Sequence, residues 1–144
     1  MNASIIPAGE GVTLNVLGNK VSVKVSGSSS GGSFALMELD DPAGMGVPPH
    51  IHDHEDETFH VLEGEFEFQT GGRTITAGPG VTAYLPRGLA HSYKTLGPGR
   101  NRALVWASPS GIETMFAELS ALPAGPPDFA KVGEICGRYG IRFV

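Results

Sequence analysis

The chain has 144 residues with a single cysteine, a formal net charge of -5 and ten scattered lysine and arginine residues. This length suits one domain with its own core. The negative net charge and the scattered basic residues predict no basic surface patch for a nucleic-acid partner. No stretch approaches the about 18 apolar residues of a membrane span, and the N-terminus lacks a signal-peptide pattern. We therefore expect a cytoplasmic protein without a membrane partner.

The first part of the chain predicts strands separated by turns. Residues 12–26 alternate apolar and polar side chains around Gly18-Asn19, which predicts a hairpin with one buried face. The serine-glycine run 27–32 predicts a flexible surface loop. Residues 34–39 predict a third strand. Residues 40–49 predict a turn region that ends on Pro48-Pro49 in an extended conformation.

Six further short strands follow, each separated from the next by a glycine-containing turn or a proline. They are predicted at residues 58–62, 65–70, 73–77, 81–85, 90–96 and 103–107. Their even spacing, with no alternation of strands and helices, indicates an antiparallel sandwich or barrel. The 21 glycines and 11 prolines, spread along the chain, agree with many turns.

After Pro109 the apolar period becomes helical. Ser110 and Glu113 have the spacing of a capping box, and apolar residues follow on one helical face up to Leu119. Asp128 predicts the start of a second helix that ends near Arg138. We expect one domain over residues 1–144, with a barrel at about 12–108 and a C-terminal helical segment at about 109–144. The helices should pack outside the barrel or across its mouth.

The histidines are clustered, since all five lie between positions 50 and 91. His50 and His52 alternate in the extended segment, so both rings leave the same face. Glu57 lies on the following strand, and His91 opens a later strand after a proline-glycine corner. Three imidazoles and a carboxylate suit one divalent transition metal (iron, manganese, nickel, cobalt, copper or zinc) and leave coordination positions open.

Two motifs contain these four residues at fixed spacings. They are G-x5-H-x-H-x4-E-x6-G from Gly44 to Gly64, and G-x5-P-x-G-x2-H from Gly80 to His91. The chain thereby resembles the cupins, although Thr95 stands where the second cupin motif often ends in asparagine. The resemblance implies an all-β, cupin-type jelly-roll β-barrel, here with short C-terminal helices, a metal held by the four residues, and a homodimer formed through the sheets.

Within the cupins, the segment PPHIHDHEDETFHVLEGE and the C-terminal KVGEICGRYGI resemble single-domain proteins akin to quercetin dioxygenases. This resemblance implies a metal-dependent dioxygenase or related oxidoreductase acting on a small phenolic or enolic organic substrate. Glu57 would be both a ligand and the catalytic group that takes a proton from a substrate hydroxyl. The alternatives are an isomerase, cyclase or lyase without redox chemistry, and a ligand-binding cupin that is not an enzyme.

Other residues near the cluster receive separate expectations. Phe59, Tyr93 and Trp106 are predicted walls of a substrate pocket. His54 is expected to be an exposed turn residue, and the alternative is a fifth ligand or a proton shuttle. The acidic run 53–56 is expected to form a solvated turn, and the alternative is that its charges tune the site electrostatically. Cys136 is expected to be a buried, inert thiol.

Overall fold

The computed structural model describes residues 2–144, in which the chain forms eleven strands and three helices. In chain order these elements are β1 (Val12–Val16), β2 (Asn19–Val25), α1 (Gly27–Ser30), β3 (Ala35–Asp41), β4 (Gly46–His52), β5 (Asp56–Glu63), β6 (Phe66–Thr70), β7 (Arg73–Ala77), β8 (Thr82–Leu85), β9 (His91–Thr95), β10 (Asn101–Ser108), α2 (Ile112–Ser120), α3 (Phe129–Arg138) and β11 (Ile141–Phe143). Within the described residues, no helix is long and apolar enough to cross a membrane.

The strands form two antiparallel sheets that face each other as a jelly-roll barrel. One sheet has the order β1-β2-β3-β10-β5-β8 and the other the order β11-β4-β9-β6-β7. Burial alternates along the central strands, for example in β3 and β10, because successive side chains of a strand point to opposite faces. The predicted all-β jelly-roll fold is confirmed.

The core fills the space between the two sheets. Phe66, Met37 and Val61 are at most 1% exposed, and each contributes about 1.5–3 kcal/mol by leaving water. Side chains from both C-terminal helices join the same apolar cluster, among them Ile112, Met115 and Val132. The helices therefore complete the core that the strands begin.

Two turn predictions need correction at the residue level. The first hairpin pairs Val16 with Asn19, so its two-residue turn is Leu17-Gly18, both at positive φ, rather than Gly18-Asn19. The region 40–49 is shorter as a turn than predicted, because β3 continues to Asp41 and β4 already begins at Gly46. Pro48 and Pro49 are tolerated inside β4 because a β-bulge there interrupts its pairing with β9.

The serine-glycine segment and the first long helix also differ from prediction. Gly27–Ser30 form a single helical turn, α1, instead of a flexible loop. Helix α2 begins after Gly111 with no side-chain cap, so the predicted Ser110 capping box is not formed. The carboxylate of Glu113 instead accepts hydrogen bonds from the backbone N–H groups of Gly111 and Gly27, which joins the two segments.

The C-terminal segment covers one opening of the barrel. Asp128 caps α3 as predicted, by accepting from the N–H groups of Ala130 and Lys131. Helix α2 packs on β1 and β3, and α3 packs on α2 and β11. Strand β11, which the sequence did not predict, pairs with β4 from Ile141↔His52 to Phe143↔His50. The chain end is thus joined directly to the strand that carries two of the histidines.

Gly64, the last glycine of the first motif, occupies a position that no other residue fits. Its φ is +77°, and a Cβ added there would lie 2.5 Å from the carbonyl oxygen of Arg100 and against the buried side chain of Asn101. Asn101 in turn accepts hydrogen bonds from the N–H groups of Glu65 and Gly97. The turn from β5 to β6 and the start of β10 therefore interlock.

Replacing Gly64 should destabilise the protein far more than replacing Gly80. Both have positive φ, but nothing lies within 4 Å of a Cβ at Gly80. We expect Gly80→Ala to cost about 1 kcal/mol of unfolding free energy and Gly64→Ala about 3 kcal/mol or more, measured by urea denaturation. Equal losses in the two variants would show that backbone conformation, and not the close contact, accounts for Gly64.

Candidate metal centre

Strands from both sheets bring the four predicted ligands together inside the barrel. His50 and His52 lie on β4, Glu57 on β5 and His91 on β9, and each is 3–5% exposed. His50 and His91 are directly opposite in the β4–β9 ladder. Period-two alternation along β4 then places His52 on the same inner face as His50.

Gly88 of the second motif makes a hydrogen bond to the first motif. Gly88 has a φ of +81°, and its N–H donates to the carbonyl oxygen of His52 at 2.8 Å. Arg87 beside it donates from its backbone N–H and its guanidinium to the carboxylate of Asp56. These contacts position the corner from which His91 enters β9.

The donor atoms of the four side chains converge on one point. The Nε2 atoms of His50 and His52 are 3.1 Å apart, and the Oε2 atom of Glu57 lies 3.3 Å from Nε2 of His52 and 3.2 Å from Nε2 of His91. One candidate ligand atom from each residue lies within 4.8 Å of every other. The predicted ligands are therefore assembled as one cluster.

Hydrogen bonds at the opposite ring nitrogens orient the imidazoles. The Nδ1 atoms of His50 and His91 are paired with the carbonyl oxygens of Pro48 at 2.9 Å and Leu89 at 3.2 Å, which requires each Nδ1 to carry the hydrogen. The Nδ1 atom of His52 donates to Oε1 of Glu55 at 2.9 Å. Because each Nδ1 is occupied in this way, each Nε2 is turned towards the common point.

The donor set fits a divalent transition metal. Ligands about 2.1 Å from one ion are about 3.0 Å apart at right angles and about 3.4 Å apart in a tetrahedron. The observed separations of 3.1, 3.3 and 3.2 Å fall between these values. Neutral imidazoles and one carboxylate accept most first-row divalent ions, so the cluster indicates a metal without identifying it.

Without an ion, the cluster shifts the protonation of its own members. Burial, and then the nearby charge of His91, lower the pKa of His50 to about 4. Burial alone would lower the pKa of His52, but hydrogen bonds to Glu55 and Glu57 outweigh it and raise that pKa to about 9. Burial also opposes ionisation of Glu57, yet hydrogen bonds from His52 and His91 hold its pKa well below the usual range.

A cavity of about 590 Å³ extends from the metal centre towards the C-terminal helices. Phe59 and Tyr93 line it, two residues beyond Glu57 and His91 on their strands. Trp106 does not, which corrects the expectation that it forms a pocket wall. The neighbours of Trp106 on β10, Val105 and Ala107, are buried inside the barrel, so alternation turns the indole outward, where it is 37% exposed.

Glu55, predicted to lie in a solvated acidic turn, is instead buried beside the cluster. The residue is 4% exposed and holds the Nδ1 atom of His52. Its spacing of three residues from His52 was the available signal, but a turn has no fixed period from which a side-chain direction can be read. His54 is exposed and lies outside the cluster, as expected, and Cys136 is buried in the cavity wall.

The raised pKa of His52 predicts a pH dependence for the metal-free protein. The folded state binds this proton more tightly than the unfolded state, in which the pKa is near 6.5, so the stabilisation is complete below pH 6.5. It is lost as the pH rises through about 9. The urea midpoint of chelator-treated protein should therefore fall between pH 6.5 and 9.

Glu55→Gln provides the matched comparison for this experiment, because the amide keeps the shape of the side chain but removes its charge. The fall in the urea midpoint over the same pH interval should be smaller in this variant. An identical pH profile in the two proteins would remove Glu55 as a cause of the raised His52 pKa.

Comparison with known proteins identifies relatives of this chain by sequence and by structure. Residues 36–107 match the model of the Cupin domain family. The chain is 28% identical over 90 residues to quercetin 2,3-dioxygenase of Bacillus subtilis, and 32% identical over 99 residues to that of Aspergillus japonicus. The aligned segments cover 62% and 64% of this chain but only 27% and 28% of the relatives.

A solved structure, KdgF from Halomonas sp., superimposes with a TM-score of 0.69. The match covers 78% of this chain and 99% of that one at 19% identity, so it supports the fold alone. The family model covers β3 to β10 and includes all four residues of the metal cluster. The chain therefore belongs to the cupin family.

Proposed function

We propose that the protein is a metal-dependent oxidoreductase of the dioxygenase type that acts on a small phenolic or enolic organic substrate. The observation that carries the proposal is a buried cluster of three imidazoles and one carboxylate at the inner end of an apolar cavity. The similarity to two quercetin 2,3-dioxygenases supports it, although the chain spans about a quarter of their length. The quercetinase activity belongs to those relatives.

His50, His52, His91 and Glu57 would hold the ion. A bound transition metal would supply Lewis acidity for a substrate oxygen and, if redox-active, a route for electrons to dioxygen. The protein contributes the orientation of the donors, since three of them are held by the hydrogen bonds at Nδ1. It also contributes a cavity from which the apolar walls exclude most water.

Glu57 has the geometry for a second role. Its Oε2 atom faces the histidines, whereas its Oε1 atom makes no hydrogen bond within residues 2–144, and the side chain lines the cavity. Oε1 could accept the proton of a substrate hydroxyl that enters the cavity beside it.

The test is incubation of the protein, loaded separately with each candidate metal, with a panel of flavonols and catechols in air and under nitrogen. Oxygen uptake that depends on both metal and substrate would support the proposal. Turnover of substrate with zinc under nitrogen would instead assign an isomerase, cyclase or lyase. No turnover with any metal across the panel would remove the proposal and leave a ligand-binding cupin.

Glu57→Gln should separate the two roles of the carboxylate. The amide oxygen can still face the ion, so we expect the variant to retain much of its metal but to lose about 10²–10⁴-fold in turnover, because it cannot accept the proton. Metal content by elemental analysis and oxygen uptake would be measured on the same samples.

Glu63→Gln is the control, since Glu63 lies on the same strand but pairs with Arg102 outside the cavity. Its turnover should match that of the unmodified protein. If Glu57→Gln also keeps full turnover, the glutamate is a ligand and nothing more.

We also propose that the protein is a homodimer formed through the outer face of the six-stranded sheet. Trp106 and Tyr84 flank Thr58 there on adjacent strands, and they are 37% and 62% exposed. Leu62 on β5 is a further exposed apolar side chain, 37% accessible to solvent. Exposed aromatic residues grouped on one face are typical of an interface between subunits.

Trp106→Lys should convert such a dimer into a monomer, because it places a charge among the exposed apolar side chains of the proposed interface. The mass would be measured by light scattering after size-exclusion chromatography. Ile75→Lys is the matched control, since Ile75 is also 37% exposed but lies on an edge strand of the other sheet. A monomer in the unmodified protein would contradict the dimer.

A further inference from the structure

The cavity above the metal centre is almost entirely apolar. Its walls come from both sheets and from both C-terminal helices, and include Met37, Leu39, Val105, Met115, Leu119 and Val132. The polar groups of the metal cluster lie together at one end, where His50, His52 and Glu57 line the cavity. A ligand that fills this space must bury most of its surface against hydrocarbon and aromatic side chains.

Away from the histidine cluster, the described residues that line the cavity include no basic side chain. None of the lysine and arginine residues within 2–144 lines it, and Glu57 is the one carboxylate in its lining. The basic residues of the C-terminal segment are paired with carboxylates outside the cavity lining: Lys131 with Glu134, Arg138 with Glu118 and Arg142 with Asp53. An anionic group on the part of a ligand that lies away from the metal would therefore lose its water and gain no partner.

Outside the histidine cluster, two described side chains with an amide or a hydroxyl line the cavity. They are Asn19, whose Nδ2 donates to the carbonyl oxygen of Val16, and Tyr93, whose hydroxyl is a hydrogen-bond donor. Tyr93 lies two residues after His91 on β9, so its side chain leaves the same face about 7 Å further along the strand. The side chain is 9% exposed and the ring packs against Phe59. Its hydroxyl makes no hydrogen bond within residues 2–144, and a neutral phenol can donate one to a ligand in the cavity.

We propose that the cavity binds an uncharged substrate with a mainly apolar ring body, one oxygen group directed at the metal centre, and a second oxygen that accepts a hydrogen bond from Tyr93. The part about the metal-directed oxygen rests on the proposed function. The exclusion of an anionic body rests on the cavity wall alone, so it can be tested without turnover.

Binding is best measured on zinc-loaded protein under nitrogen, where no redox reaction proceeds, by isothermal titration with naphthol probes of one shape. Methyl 6-hydroxy-2-naphthoate is uncharged, and 6-hydroxy-2-naphthoate carries an anion at the end away from the hydroxyl. We expect the acid to bind at least about tenfold more weakly than the ester. Equal affinity, or tighter binding of the acid, would overturn the exclusion of anions.

A cation placed in the wall should reverse this preference. Phe116 lines the cavity from α2 and is only half-buried, so Phe116→Arg can direct its guanidinium inward without unfolding the helix. We expect it to strengthen binding of the acid relative to the ester, and Val12→Arg, at an exposed site outside the cavity, to leave the ratio unchanged. Should Phe116→Arg fail to fold, Phe129→Arg at the 77% exposed edge of the cavity replaces it.

The role of Tyr93 is tested with Tyr93→Phe, which keeps the ring and removes the hydroxyl. The probes are 2-naphthol, which has no second acceptor, and the 3-hydroxy and 6-hydroxy isomers of methyl 2-naphthoate, which carry the acceptor at two distances. We expect about fivefold weaker binding of at least one ester and no change for 2-naphthol or for zinc affinity. If Tyr93→Phe binds both esters as tightly as the unmodified protein does, or binds 2-naphthol equally weakly, Tyr93 is not a substrate contact.

The outcomes separate this inference from the proposed function. If the preference for the ester persists in both zinc-loaded and metal-free protein while no substrate is oxidised with any metal, the cavity assignment stands and the dioxygenase assignment fails. If none of the neutral probes binds, the cavity assignment fails irrespective of turnover.

Discussion

Three hydrogen bonds at Nδ1 atoms hold the imidazoles of His50, His52 and His91 in the orientation on which the centre of this protein depends. Buried imidazoles and a buried carboxylate are costly unless each polar atom has a partner. Here the backbone carbonyls of Pro48 and Leu89 and the carboxylate of Glu55 occupy one side of the rings. The remaining nitrogens face Glu57 and one another, at separations that suit a shared ion.

Strand pairing in the barrel determines which side chains meet in this cluster. His50 and His91 face each other across the β4–β9 ladder, and Glu57 comes from the opposite sheet. A slip of one residue in the β4–β9 ladder would turn a histidine to the outer face, and a slip in the pairing of β5 would do the same to Glu57. The bulge in β4 gives the β4–β9 pairing a defined offset, and the Gly88 hydrogen bond to His52 ties the end of β4 to the turn before β9. Both oppose such slips.

The C-terminal segment has a structural consequence for the same site. Strand β11 pairs with β4 along its histidine-bearing end, so it protects a strand that would otherwise be the edge of its sheet. The two helices before it form the apolar wall opposite the metal cluster. The fold therefore places a polar cluster beside a mainly apolar cavity, and this contrast is the physical basis for both functional proposals.

Much of the site could be predicted because strand periodicity carries directional information. Spacing placed His50, His52 and Glu57 on the correct face. It also placed Phe59 and Tyr93 there, because each lies two residues after a predicted ligand on the same strand. The same rule failed for Trp106, because the sequence does not show which face of β10 is buried. Glu55 and strand β11 were missed since their roles arise from a turn conformation and from a pairing about 90 residues apart in sequence.

By itself, then, the sequence determined most of the strands, the candidate ligand set and the start of the helical segment after β10, because each follows from local spacing and composition. Only the tertiary structure decided that the four donors meet within 4.8 Å, that Glu55 supports one of them and that no lysine or arginine of residues 2–144 lines the cavity. Those properties depend on contacts between elements distant in sequence, and such contacts are set by how the two sheets and the helices pack.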